Sequence, residues 1–254
     1  MRAEKDLREG ERVEWLGGQY AVIISPDHGF GTDAFLLADF SAPKTHARCM
    51  DLGTGCGILP MLWKRNGAAG ELYGLELQKA ANDQFERGIA LSEQNGASCD
   101  NVHAVLGDLR SLDDLGLPLG QFDVVTMNPP YKPVGTGILS GSPAEQIARH
   151  ELTCTIDDAA AAAERLLNFG GSFAVCHRPE RLTDVLEAFR RHAIEPKRLR
   201  FVQKRPDTAP WLFLLEGRKG GKPYLNILPP LLTYEEDGRE TEELLRILGE
   251  YRDE

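Results

Sequence analysis

Ala47-Arg48-Cys49-Met50-Asp51-Leu52-Gly53-Thr54-Gly55-Cys56-Gly57, continuing as Ile58-Leu59-Pro60-Met61-Leu62-Trp63, is the stretch whose reading decides the fold. A short apolar run, three glycines at alternate positions and an apolar helical run predict strand, tight turn and helix. That is the first βα unit of a nucleotide-binding α/β sheet. Glycine permits the turn and lets a ligand lie against bare backbone. A dinucleotide fingerprint, G-x-G-x-x-G, would set the third glycine one position later than Gly57. Asp51 also stands where NAD sites commonly carry an apolar strand residue.

Outward from this unit the same alternation continues. Glu71–Glu76 reads as a second strand, ending in an acid about 20 residues past the glycines, where a carboxylate accepts from both ribose hydroxyls. Residues 78–95 form an amphipathic helix with Ala81, Phe85, Ile89 and Ser92 at helical spacing. Val102–Leu106 is a third strand, ending in Gly107-Asp108-Leu109; His103, in mid-strand, is read as packed. The fourth strand, Asp123-Val124-Val125-Thr126-Met127, stops abruptly at Asn128-Pro129-Pro130-Tyr131, because proline has no N–H for the ladder. The residue before a proline is held extended, so Asn128 sits at the carboxyl rim of the sheet, where open α/β sheets bind ligands. An amide, a carbonyl on Pro129 and an aromatic ring gathered there can grip a flat, amine-bearing group.

Upstream, residues 11–24 read as a hairpin about a Gly17-Gly18 turn. The loop Ser25–Asp33 opens onto the helix Ala34–Phe40. Thr32 or Asp33 caps that helix, or else Gly31, Thr32 and Asp33 present backbone and carboxylate to the amino-acid end of a cofactor. His28 is read as a loop residue. Downstream come the glycine-rich loop 132–142 and Arg149-His150-Glu151, in which Arg149 is a phosphate contact or a solvated helix end. Thr155–Asp158 caps a helix Ala159–Leu167 that ends at Gly170-Gly171. Ser172–Cys176, Arg198–Lys204 and Trp211–Glu216 are strands, with a helix over Glu180–His192. Tyr224–Leu232 and a helix around Glu242–Tyr251 form an appendage packed on the sheet.

Composition narrows the class. A hydrophobic content of 42% and mean hydropathy of −0.32 are those of an ordinary globular chain, without an apolar run approaching the ~20 residues of a membrane helix. The start lacks the apolar core of a signal peptide, so a cytoplasmic protein is expected. Five scattered cysteines, without a C-x-x-C pair, speak against disulfides and zinc, and no metal site is expected. The net charge of −10 speaks against a non-specific coat for nucleic acid. Between Arg178 and Lys222, however, twelve Lys and Arg stand against six Asp and Glu, which is either a phosphate-binding face or a set of solvated helix faces.

Asp51–Gly57 resembles the first motif of class I S-adenosylmethionine (AdoMet) methyltransferases, and Asn128–Tyr131 the signature of those that methylate a planar nitrogen. The order of motifs is similar to that of the bacterial tRNA(Val) adenine-N6 methyltransferases. The likeness runs through Gly31–Leu37, Asp51–Gly57, Glu76, Asp108, Asn128–Tyr131, Ala148–Glu151 and the tail Pro229–Gly238. Arg239 departs from the group's acidic or aromatic residue. The resemblance implies an α/β, Rossmann-like class I methyltransferase with a seven-stranded, mostly parallel sheet and helices on both faces. It also implies one domain over 1–254: hairpin and cofactor loop 1–45, catalytic core 46–218, appendage 219–254. The implied cofactor is AdoMet, held by Gly31, Thr32, Asp33, Asp51, Gly53, Thr54, Gly55, Gly57, Glu76, Leu77, Asp108, Leu109 and Asn128, with Asp108 accepting the adenine amine. Asn128, Pro129, Pro130 and Tyr131 are the implied catalytic set, Lys132 and Arg149 the implied substrate contacts, and tRNA the implied partner of a monomer or small homo-oligomer.

On this reading Asn128 and Pro129 each accept one N6–H, aiming the amine's lone pair at the sulfonium methyl, while Tyr131 stacks on an unstacked base. An unpaired RNA loop yields such a base at least cost. The rivals are a glutamine-N5 methyltransferase of release factors, an rRNA base N-methyltransferase, and an AdoMet-binding RNA chaperone without catalysis. Release-factor enzymes place a longer helical region before the glycine motif, where here about 50 residues precede it, beginning with the hairpin.

Overall fold

The computed structural model describes residues 7–129, 154–249 and 251. A hairpin of β1 (Arg12–Trp15) and β2 (Ala21–Ile24) opens the chain and pairs antiparallel, as its two glycines predict. Next come α1 (Thr32–Ser41), β3 (Cys49–Leu52), α2 (Ile58–Arg65), β4 (Leu72–Glu76), α3 (Lys79–Gln94), β5 (Val102–Leu106) and β6 (Phe122–Met127). From residue 154 onward follow α4 (Ile156–Leu166), β7 (Leu167–His177), α5 (Leu182–Arg191), β8 (Ile194–Gln203) and β9 (Leu212–Lys219). The tail supplies β10 (Asn226–Ile227), β11 (Leu231–Leu232) and α6 (Glu242–Leu248).

The main sheet runs β5-β4-β3-β6-β7-β9-β8. All neighbours pair parallel except β9, which is antiparallel to both β7 and β8. These are the seven strands the sequence leads one to expect. The appendage adds two more: β10 and β11 both pair parallel with the outer side of β8. The tail therefore extends the sheet at its edge.

Each face of the sheet has its own core. On one, Phe35, Leu36, Leu37, Leu62, Trp63 and Phe85 from α1, α2 and α3 are buried together with Leu244 and Ile247 of α6. On the other, Ala159, Ala163 and Leu166 of α4 and Val185 and Phe189 of α5 pack against Phe173, Phe213 and Leu215. Such near-continuous apolar strands are what a sheet covered on both faces requires.

Local chemistry departs from expectation in two places. The helix after Thr155 has the expected cap, a reciprocal box with Asp158. It stops at Leu166, however, and Gly170-Gly171 lie inside β7. One step from Phe122 to Val124 on β6 faces the whole run Leu167 to Ser172 on β7, a bulge in which Gly170 takes φ +82°. The N-cap of α1 is Gly31, with no side-chain cap from Thr32 or Asp33; Asp33 Oδ1 accepts from its neighbour's amide, Ala34 N, at 3.0 Å.

Candidate functional site

β3 has β4 on one side and β6 on the other, so the crossover connections reverse direction between β3 and β6. A crevice at the carboxyl ends of the strands is expected at such a switch point. A cavity of about 250 Å³ lies there. The glycine turn forms one wall: Gly53 N and Thr54 N both donate to Leu75 O, at 2.8 and 3.1 Å, tying the turn to the end of β4. Gly53 and Gly55 adopt φ of +65° and +58°, and nothing lies within 4 Å of where a Cβ on Gly55 would stand. Its bare backbone faces open space.

Glu76, at the end of β4, is buried and braces the turn. Oε2 accepts from Gly55 N and Oε1 from Gln78 N, both at 2.8 Å. Each oxygen keeps a lone pair for a ligand hydroxyl. Asp51 is buried beneath the same cavity and accepts from Thr126 Oγ1 at 2.7 Å. Burial pushes its carboxyl up to about 7, against the opposing pull of hydroxyl hydrogen bonds. A cation arriving beside Asp51 would stabilise the carboxylate.

Asp108 lines the opposite wall and is held by Arg110, whose Nη2 and Nε donate to its Oδ2 at 2.5 and 3.1 Å. That pairing holds the Asp108 carboxyl below its ordinary range. Asn128 closes the cavity at the end of β6, and its Oδ1 accepts from the buried thiol of Cys176 on β7, at 3.1 Å. Among the described residues no group of three or more His, Cys, Asp and Glu side chains is disposed to hold a metal ion.

Of the residues singled out from sequence, Asp51, Gly53, Thr54, Gly55, Glu76, Leu77, Asp108, Leu109 and Asn128 line this one cavity. Gly31, Thr32, Asp33 and Gly57 are not among its lining residues. Gly57 answers a packing demand instead, since a Cβ there would lie 1.9 Å from the Phe85 ring. Pro129 is buried beside Asn128, while Pro130, Tyr131, Lys132 and Arg149 lie outside the described residues. Asp27, His28, Gly29 and Phe30 line the cavity in place of the three residues after them. Phe30 reaches it because its ring packs on Phe35 and on Tyr251, at centroid distances of 5.9 and 5.7 Å. Thr126 carried a legible signal, a polar residue inside an apolar strand.

No family model matches the chain. It is 30% identical over 124 residues to the tRNA1(Val) (adenine(37)-N6)-methyltransferase of Pasteurella multocida, an alignment covering 48% of this chain and 49% of that one. It is 25% identical over 194 residues to the protein of the same name from Porphyromonas gingivalis, covering 74% and 73%. Against the Pasteurella and Pectobacterium relatives it spans about half the relative's length, 49% and 56%. Among solved structures it is similar to one described as a predicted O-methyltransferase from Agrobacterium tumefaciens, with a TM-score of 0.69 at 22% identity, covering 85% of this chain and 95% of that one. A SAM-dependent methyltransferase from Aquifex aeolicus superposes with a TM-score of 0.51 at 13% identity, covering 72% and 87%. The chain thus has the Rossmann-like fold of AdoMet-dependent methyltransferases.

Proposed function

We propose that the whole chain acts as one cytoplasmic methyltransferase domain that uses AdoMet to methylate the N6 amine of an adenine in RNA, with tRNA as the substrate. One observation carries the reading: the glycine turn braced by Glu76 and the amide of Asn128 open onto the same cavity. Donor and acceptor can therefore meet there without crossing the protein. The name shared by the sequence relatives, tRNA1(Val) (adenine(37)-N6)-methyltransferase, supports RNA over a protein glutamine.

The donor set fits the cofactor. Glu76 offers two carboxylate oxygens to vicinal hydroxyls, Gly53–Gly55 offer bare backbone, and Asp51 offers a buried carboxylate that a positive group would keep ionised. Asp108 offers an acceptor to an exocyclic amine once Arg110 yields one of its oxygens. Bound there, the sulfonium supplies an electrophilic methyl group.

The chain's own residues handle the other partner. An adenine amine is a poor nucleophile because its lone pair is delocalised into the ring. Asn128 Oδ1 accepts one N–H, and the Pro129 carbonyl is assigned the second. With both hydrogens held, the nitrogen is drawn toward tetrahedral geometry and its lone pair points across the cavity. Tyr131 is assigned the stacking face. The methylated amine would lose its surplus proton to water, and the alignment and dipoles of these acceptors would supply most of the acceleration.

The test is mass spectrometry of nucleosides from tRNA treated with the protein and isotopically labelled AdoMet. Labelled N6-methyladenosine is expected. Label in a release-factor glutamine with none in RNA would overturn the reading, as would cofactor binding with no methyl incorporated into either.

A further inference from the structure

The amino ends of the strands, at the pole of the sheet opposite the cavity above, carry a second recess. It is an open cleft of about 1130 Å³ bounded by residues 41–47, the starts of β6 and β7, and β8 and β9. Lys44, Lys197, Arg198 and Arg218 line it, against two carboxylates, Asp123 and Glu216. Both carboxylates are engaged. Asp123 accepts from Arg48 N at 2.9 Å and Asn168 Nδ2 at 2.7 Å, and Glu216 holds Arg198 at 2.5 Å. Lys44 and Arg218, by contrast, are exposed and have no carboxylate partner among the described residues.

Two exposed aromatic rings accompany these cations: Phe169 lines the cleft, and Tyr224, outside its lining, stands beside Lys197. Phe169 is 84% exposed, thrown outward by the bulge in β7. The ring is seated rather than loose: it covers Gly220, at φ +68°, so closely that a Cβ there would come within 2.3 Å of it. Tyr224 is 75% exposed, with Lys197 Nζ 5.8 Å from its ring centroid. Holding large aromatic rings out of the core forgoes burial energy, which a binding surface recovers only when a partner covers them. Rings interleaved with cations are the chemistry of a platform for unpaired nucleic acid, where bases stack on the rings and phosphates meet the cations. The chain carries a net charge of −10, so a positive cleft is not a by-product of general basicity.

We propose that this cleft binds an unpaired stretch of the RNA substrate, away from the methyl-transfer cavity. The proposal rests on the reading of the protein as an RNA methyltransferase. β6 joins the two sites directly, with Asp123 in the cleft and Asn128 in the cavity. At ~3.3 Å per residue the strand separates them by roughly 17 Å, a span one arm of a folded RNA can cover.

The test compares the intact protein with Lys44→Glu/Arg218→Glu and, separately, Phe169→Ala, reading tRNA affinity by fluorescence anisotropy over a salt series. The double variant is expected to bind tRNA about 10-fold more weakly, with a slope of log K against log salt shallower by roughly 1.5 to 2. Phe169→Ala is expected to lose about 5-fold with the slope unchanged, as a stacking contact would. AdoMet affinity is expected to stay unchanged in all three proteins. Equal tRNA affinity in all three overturns the proposal, and so does a wild-type protein that binds no RNA. A change in sedimentation of the variants with RNA binding intact also overturns it, marking the cleft as a self-association face. Methylation of tRNA by the wild type, with no effect of the variants, defeats the cleft alone. RNA binding at the cleft with no methylation of any RNA defeats the enzymatic reading instead.

Discussion

The thiol of Cys176 lies 3.1 Å from Asn128 Oδ1, joining the ends of two adjacent parallel strands at the rim of the cavity. A thiol donor fixes which end of the amide is oxygen, and a carbonyl oxygen has a second lone pair for the substrate amine. Cys176→Ala is expected to lower kcat about 5-fold, the worth of roughly 1 kcal/mol of alignment, with KM for AdoMet unchanged. Cys176→Ser, which restores a donor, should return most of the rate. Steady-state kinetics on both variants decide it, and equal losses in the two would point to packing instead.

Asn128 itself carries the larger burden. Asn128→Ala removes the acceptor proposed for the amine, so methyl transfer should fall below detection while AdoMet affinity stays within a few-fold. Parallel loss of both, by activity assay and calorimetry, would assign the residue a structural role.

Glu76→Ala should act on the other partner. It removes the carboxylate that Gly55 N and Gln78 N donate to, as well as the acceptors assigned to ligand hydroxyls. AdoMet affinity should weaken by about 10- to 100-fold, or ~1.4 to 3 kcal/mol. Unchanged affinity by calorimetry would defeat the assignment.

Asp51 makes the unliganded protein sensitive to pH. Its folded-state value of about 7 lies above the ordinary 3.8, so the folded chain keeps a proton that the unfolded chain releases first. The resulting stability is present below the unfolded value and is lost as pH rises toward 7. In urea titrations from pH 4.5 to 8, the difference between wild type and Asp51→Asn should fall with rising pH and level off above 7. A difference independent of pH would mean that Asp51 is ionised throughout.

Gly57→Ala tests a packing role. A methyl there meets the Phe85 ring at 1.9 Å, on a backbone with φ +83°. A loss of about 2 to 4 kcal/mol of stability is expected by chemical denaturation. A variant as stable as wild type with weakened AdoMet binding would reassign Gly57 to the ligand.

Much of this architecture was legible because each βα unit carries its own signals. Asp51–Gly57, Glu76 and Asn128 could be placed at strand ends from turn chemistry and apolar runs alone. What escaped depends on partners distant in sequence. Gly57 reads like its neighbours in the glycine turn, and nothing local reveals the Phe85 ring behind it. Gly31–Asp33 read equally as a helix cap or as a cofactor contact, and nothing local shows that Phe30, packed on Tyr251 more than 200 residues away, is the residue that lines the cavity. Gly170-Gly171 look the same as a helix terminator and as a bulge, and only the pairing of Phe122 with Leu167 decides between them. Two-residue strands such as β10 and β11 have no periodicity to read.

β10 and β11 have a consequence for how the chain is made. Both zip onto the outer side of β8, which no other strand among the described residues pairs, and both emerge from the ribosome after the strand they cover. Until residue 232 is synthesised, the nascent protein therefore presents an open strand margin to its neighbours. Translation stalled before that point would leave the margin open to association, and the pairing of β10 and β11 closes it.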